Sequence, residues 1–274
     1  PVRLARTGMN PLKDLLYFYD LLVFLKRVRP DIVLSYTIKP VIYGSIAAYL
    51  CTIPKSYSMI TGVGYAFDGE GEVPFRRALY ALCRYALSKN SGVIFQNQDD
   101  KSLFERLGLL KEVKGVHIVN GSGINLDRFF YSEPKITPVR FLLMGRLIPE
   151  KGVYEYVQAA RRIKEKYGNS AVFYLLGPFE DRPGAVKSEE VKAWEEEGII
   201  EYLGQKEDVR PILNETSVYV LPSYREGTPR STLEALSVGR PVITTDTPGC
   251  RETVRHEKTG YEVVPILWTE NRPF

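Results

Sequence analysis

Short apolar runs alternate with amphipathic stretches along almost the whole chain, and the alternation stops once and then starts again. Asp31–Tyr36 (DIVLSY), Lys55–Ile60, Gly92–Gln96 (GVIFQ) and Val116–Val119 read as buried strands; Leu12–Val28, Pro40–Leu50, Phe75–Ser88 and Asp99–Leu107 read as helices. Asn10 and Pro11 are a cap and first-turn pair for the first of these helices. Ser132–Val139 (SEPKITPV) has two prolines and no period, and reads as a linker. After it, strands are expected at Phe141–Met144, Val172–Leu176, Ile199–Leu203, Val218–Leu221, Pro241–Thr245 and Tyr261–Val264. Helices are expected at Tyr154–Tyr167, Glu189–Glu197, Val209–Asn214 and Thr232–Val238. Such alternation builds a parallel sheet covered by helices on both faces. Built twice, it predicts an α/β chain of two doubly wound domains, 1–135 and 136–274, with the ligand in a cleft at the carboxyl ends of the strands.

Size and composition agree. The 274 residues are roughly twice a common domain, and 44% hydrophobic with 26% charged residues is a globular balance. No apolar run reaches the roughly 18 residues of a membrane span, and Pro1–Asn10 is no signal peptide. Cys51, Cys83 and Cys250 are widely spaced, without a C-x-x-C pair, which excludes a zinc ribbon or disulfide scaffold and suits a reducing cytosol. Through Pro138 there are 18 Lys/Arg against 12 Asp/Glu, a balance of +6; the remainder has 19 against 21, or −2. The basic first half favours an anionic partner such as a membrane surface or phosphorylated substrate, ordinary surface variation being the plain alternative. No basic–aromatic block suggests nucleic acid. Both ends read as cut, so both domains are expected to be incomplete.

Two segments of the second half carry chemistry. In Met144–Gly152 (MGRLIPEKG) a strand end and the Gly145 turn lead to Arg146, then to Lys151 beside Gly152 at a helix start. Two fixed cations at a sheet's carboxyl edge suit a diphosphate. The plain alternative is a pair of surface charges, with Lys151 bonded to Glu155 at i,i+4. In Pro222–Pro241 (PSYREGTPRSTLEALSVGRP) a strand ends and Glu226-Gly227 turn the chain. Thr228 and Pro229 are then expected as cap and first residue of a helix. That helix start is a natural phosphate site, and Gly227 lets backbone approach a ligand closely. Glu226 and Glu234 can face one bound molecule from different depths, each accepting hydroxyl hydrogens of a sugar or ribose. Alternatively, Glu226 is a dipole partner and Glu234 a solvated helix residue.

GRLIPEKG, EYLGQKEDVRPIL, VLPSYREGTPRSTLEAL and GRPVITTDTPGCRE together resemble family 4 glycosyltransferases of the GT-B fold, which has two Rossmann-type domains. The similarity runs through Val139–Val264. Ser35–Phe67 is similar to the branch that builds bacterial surface polysaccharides and lipid-linked oligosaccharides. The resemblance implies a retaining transfer from a nucleotide sugar, UDP-linked and carrying a hexose or N-acetylhexosamine, with no cofactor beyond that co-substrate. It implies that Arg146 and Lys151 bind the diphosphate, Glu226 the donor sugar and Glu234 the ribose. Gly227, Thr228, Ser231 and Thr232 match the turn whose backbone holds sugar and phosphate, and Tyr202–Gln205, with Gly204, follows the strand edge where the base would lie. Arg230 is a further phosphate or acceptor contact, or a solvated helix residue.

Glycosyltransferases of the other major fold hold a metal on an Asp-x-Asp motif, which does not occur here; the expectation is metal independence, with Asp99-Asp100 a helix N-terminal pair. Many relatives carry a His near the sugar where this chain reads Ile60-Thr61-Gly62-Val63-Gly64. Thr61 or the Gly62 and Gly64 backbone is expected to line the acceptor side instead, with Lys39 a candidate for an acceptor phosphate. His117 and His256 read as structural or exposed. A lipid-linked or oligosaccharide acceptor places the protein in the cytoplasm, peripheral on the inner face of the plasma membrane. Leu12–Arg29 and Phe75–Tyr85 mix aromatic, aliphatic and basic residues, as interfacial helices do; core packing with basic solvent faces is the alternative. The rivals to transfer are a UDP-sugar 2-epimerase of the same architecture and an inactive nucleotide-binding fragment.

Overall fold

The computed structural model describes residues 11–63, 67 and 73–264. The chain forms two compact units that divide at Gly121 and Ser122. The first contains α1 (Pro11–Val28), β1 (Ile32–Tyr36), α2 (Ile38–Leu50), β2 (Lys55–Ile60), α3 (Val73–Ser88), β3 (Gly92–Phe95), α4 (Gln98–Arg106) and β4 (Val116–Ile118). Its four strands lie parallel in the order β1-β2-β3-β4. Val41 and Ile42 of α2, Cys83 and Leu87 of α3, and Phe104 of α4 share one core with Ile60, Val93 and Phe95 of the sheet. Asp99 and Asp100 do open α4, where the Asn97 side chain caps the Asp100 N–H at 2.7 Å.

The second unit contains β5 (Val139–Met144), α5 (Val153–Tyr167), β6 (Ala171–Leu176), α6 (Ser188–Glu196), β7 (Glu201–Tyr202), α7 (Arg210–Glu215), β8 (Val218–Leu221), α8 (Arg230–Ser237), β9 (Val242–Thr245) and β10 (Gly260–Val263). All six strands are parallel, in the order β10-β9-β8-β5-β6-β7. Counted from β5 this is the 3-2-1-4-5-6 order of a Rossmann sheet, whose direction of growth reverses between its first and fourth strands. Here that reversal falls between β5 and β8. Successive β5 residues bury on opposite faces: Leu143 joins Tyr156, Val157 and Trp194 from α5 and α6, while Leu142 and Met144 join Leu213 and Ala235 from α7 and α8. Covering both faces is what makes the strand an unbroken apolar run.

Residues 122–138 belong to the second unit, and the Ser132–Val139 segment read from sequence as a linker packs on it. Phe129 enters the core of α7 and α8. The fully buried Arg240 donates from Nη1 to the Ser132 carbonyl at 2.8 Å and from Nε to the Leu213 carbonyl at 2.9 Å. Two prolines shape this segment without freeing it, because a buried guanidinium must find acceptors and Ser132 supplies one.

Candidate functional site

In an open parallel sheet the loops leaving two strands that flank a reversal diverge, and the crevice between them receives ligand. The two segments singled out from sequence are the loops leaving β5 and β8. The β5 loop passes Gly145, Arg146 and a single 3-10 turn, Pro149–Lys151, then enters α5 at Gly152, whose backbone is left-handed at φ 71°. A Cβ at Gly152 would strike the backbone and ring of Pro222, so the two loops touch only because this residue has no side chain. Tyr224 N–H donates to the Glu150 carbonyl at 3.0 Å and the Tyr224 hydroxyl to Glu155. Lys151 therefore does not pair with Glu155; its Nζ contacts Glu226 Oε1, and the two side chains are only 19% and 14% exposed.

Glu226 is held further by the Ser223 hydroxyl, which donates to Oε1 at 2.7 Å, and by its own N–H, which donates to the Pro248 carbonyl at 2.9 Å. The following helix starts one residue later than its sequence suggests. Pro229, at φ −68° and ψ 111°, is the cap in place of Thr228, and Arg230 is the first helical residue. The Thr232 and Leu233 N–H groups donate to the Pro229 carbonyl at 3.2 and 3.4 Å, which leaves the Arg230 and Ser231 N–H groups as the helix start that suits a phosphate. The Tyr219 hydroxyl, from β8, donates to the Met144 carbonyl at the end of β5 at 3.1 Å. Thr232 is fully buried, and its hydroxyl finds no partner among the described residues.

Glu234 is one turn deeper. It is 13% exposed and paired with Arg230 Nε at 3.2 Å, so it is not a solvated helix carboxylate. Burial raises its pKa, and the Arg230 charge and hydrogen bond oppose that rise. Burial also pushes the Tyr219 phenol up; the Ser231 hydroxyl opposes this, while the Glu226 and Glu234 charges add to it. Arg146 is 56% exposed and donates to Glu180 at 3.3 Å. At the far side of the edge, the Tyr202 hydroxyl donates to the Gly177 carbonyl at 2.7 Å, and the Gly177 N–H donates to the Gly204 carbonyl at 2.9 Å. Arg146, Lys151, Glu226, Tyr202 and Gly204 thus share one sheet edge with the start of α8.

In the first unit, Lys39 and Thr61 follow the paired strands β1 and β2 at their carboxyl ends, with Gly62 next at φ 118°. Lys39 is ion-paired with Asp14 of α1 at 2.9 Å. Gly64 lies outside the described residues. His117 and His256 are exposed. Among the described residues no group of three or more His, Cys, Asp and Glu side chains is placed to hold a metal ion.

Sequence reasoning missed the residues that hold the site together. Ser223, fully buried, stands directly between strand end and glutamate. The hydroxyls of Thr245, the last residue of β9, and of Thr247 just beyond it both donate to the Ser223 carbonyl, Thr247 at 3.0 Å. The available signal was TTDT at the end of a buried strand, where hydroxyls recur with the strand's period of two.

The chain is 28% identical to the N,N'-diacetylbacillosaminyl-diphospho-undecaprenol alpha-1,3-N-acetylgalactosaminyltransferase of Campylobacter jejuni, over 98% of this chain and 71% of that protein. It is 27% identical to the UDP-Gal:alpha-D-GlcNAc-diphosphoundecaprenol alpha-1,3-galactosyltransferase of Escherichia coli, over 93% of this chain and 67% of that protein. Among solved structures it matches the Thermosynechococcus elongatus sucrose-phosphate synthase with a TM-score of 0.73 at 16% identity, covering 96% of this chain and 69% of the other. It matches Anabaena HepE in complex with UDP and glucose with a TM-score of 0.69 at 17% identity, covering 95% and 71%. The fold is that of the GT-B glycosyltransferases, two Rossmann-like domains. Residues 138–268 match the model for the glycosyl transferases group 1 family.

Proposed function

We propose that this protein is a retaining glycosyltransferase that moves a hexose or N-acetylhexosamine from a UDP-sugar to a lipid-linked or polysaccharide acceptor. The observation that carries the reading is the convergence of Lys151, Glu226 and the start of α8 at the β5/β8 reversal, with the mostly buried Glu234 one turn into that helix. Relatives act on diphospho-undecaprenol sugars by name, and a structural neighbour binds UDP by title, which supports the substrate classes.

In this reading negative charge grows on the departing diphosphate as the glycosidic bond breaks. Arg146, Lys151 and the first N–H groups of α8 stand ready to stabilise it, at about 3 kcal/mol for each well-placed donor. Those groups supply the positive charge that a metal supplies elsewhere, so the proposed transfer is metal-independent. Glu226 holds the donor sugar; Glu234 accepts the two ribose hydroxyls; backbone around Tyr202 and Gly204 receives the base. Gly145, Gly227, Thr228, Ser231 and Thr232 shape the turns that approach phosphate and sugar, and Arg230 steadies Glu234. Lys39, Thr61 and Gly62 are proposed for the acceptor side. Peripheral contact with a membrane completes the proposal, supported by the exposed apolar face of α1.

Transfer is favoured over 2-epimerisation because the curated relatives above are named glycosyltransferases. UDP release separates the two: transfer frees UDP only when acceptor is present. The expected result on the full-length protein is acceptor-dependent UDP release that falls about 100-fold or more in Glu226→Gln. Acceptor-independent release, or an unaffected variant, refutes the assignment.

A further inference from the structure

Both contacts on the Glu226 carboxylate fall on one oxygen. Lys151 Nζ and Ser223 Oγ meet at Oε1, and among the described residues nothing holds Oε2. The two holders differ in kind. Lys151 is a point charge on a flexible stem and is drawn toward any bound diphosphate. Ser223 is short and fully buried, and its one hydroxyl proton goes to Glu226.

Ser223 is also fixed from behind. Its carbonyl accepts the Thr245 and Thr247 hydroxyls, and those two hydroxyls lie 3.1 Å apart. On either side the chain is tied down, by the Tyr224 N–H on Glu150 and the Glu226 N–H on Pro248. Gly249, at φ 79°, lets the β9 loop lie against this turn, since a Cβ there would strike the carbonyls of Glu226 and Gly227. The loop after β9 is thus a template for the loop after β8.

We propose that Ser223, set by Thr245 and Thr247, is the positioning residue that aims Glu226. When donor phosphates draw Lys151 away, the Ser223 hydroxyl keeps Oε1 in place and Oε2 directed at the donor sugar. The inference rests on the reading of Glu226 as the donor-sugar carboxylate and adds the residues that decide its orientation. It predicts an effect on turnover more than on donor binding, because Ser223 holds the carboxylate and not the diphosphate.

The test compares Ser223→Ala and Thr247→Val, each in the wild-type and the Glu226→Gln background, by acceptor-dependent UDP release and by calorimetric UDP binding to full-length protein. A hydrogen bond to a charged group sets the expected scale: Ser223→Ala lowers kcat about 10- to 100-fold and leaves donor KM and UDP affinity within about twofold. In the Glu226→Gln background the same change costs less than about twofold, since the residue it acts through is gone. Thr247→Val gives a smaller loss of the same pattern and carries the test if Ser223→Ala does not fold. Wild-type kcat in both variants overturns the proposal, and so does a loss that persists undiminished in the Glu226→Gln background or that appears equally in UDP affinity. If the wild type turns over normally while those results hold, this proposal falls alone. A wild type that releases no UDP with any donor and acceptor ends the functional reading and this proposal with it.

Discussion

Glu234 shows how one side chain's surroundings become a measurable property. Burial raises its pKa above the ordinary 4.5, and Arg230 holds part of that rise back. In the role proposed for Glu234, ribose hydroxyls donate to the carboxylate, so the ionised form is the one that binds. UDP affinity should therefore decline on acidification at a pH above 4.5. Arg230→Ala should move that decline to higher pH, and Glu234→Gln should weaken binding at every pH and abolish the decline. Calorimetry across the acid range checks all three, and a decline unmoved by Arg230→Ala contradicts them. The stability effect has the opposite sense: a raised carboxylate pKa adds stability below the unfolded value, and that contribution is lost as pH rises through the folded one. Lys151, Glu226 and Glu234 stand out in the sequence as candidates, because the proposed chemistry calls for those residue types. Their partners do not. Lys151–Glu226 spans 75 positions, and only the touching of the β5 and β8 loops at Gly152 and Pro222 makes it.

At the scale of elements, period and breakers located nearly every strand and helix, because a buried parallel strand is an uninterrupted apolar run and leaves a clear signature. The exceptions are informative. The strand expected over Ile199–Leu203 shortens to β7, an edge strand whose Tyr202 N–H is taken by the Glu195 side chain at 2.8 Å. The proline-rich stretch gave no hint that a buried Arg240 would hold it, since that bond joins residues 108 positions apart. Helix α1 poses a question of partner. Tyr17 and Leu25 are buried, while Leu12, Leu15, Leu16, Tyr19 and Val23 are exposed, as are Lys26 and Arg27. Core packing thus accounts for only part of the helix. If the outer face meets a bilayer surface, the full-length protein should sediment with anionic vesicles at low salt. Added salt should release part of it, as cations on headgroups are screened. Failure to sediment removes the membrane reading and leaves the donor site untouched. Among the described residues no helix is long and apolar enough to cross a membrane.

Across the whole molecule, charge and chemistry divide between the units. The basic surplus lies in the first half, the residues proposed for the donor side all in the second. The Rossmann order of the second sheet explains why those residues, scattered from Gly145 to Glu234 in sequence, share one edge: the reversal between β5 and β8 brings their loops side by side. The order of the strands was not legible in the sequence, which shows alternation and not adjacency. Everything proposed for catalysis depends on a nucleoside diphosphate lying at that reversal, and a crystal structure of the full-length protein with UDP tests this most directly. The account predicts the β-phosphate at the first turn of α8 within hydrogen-bonding distance of Lys151, and the ribose hydroxyls on Glu234. UDP bound elsewhere, with Lys151 still on Glu226 and no phosphate at α8, would contradict it.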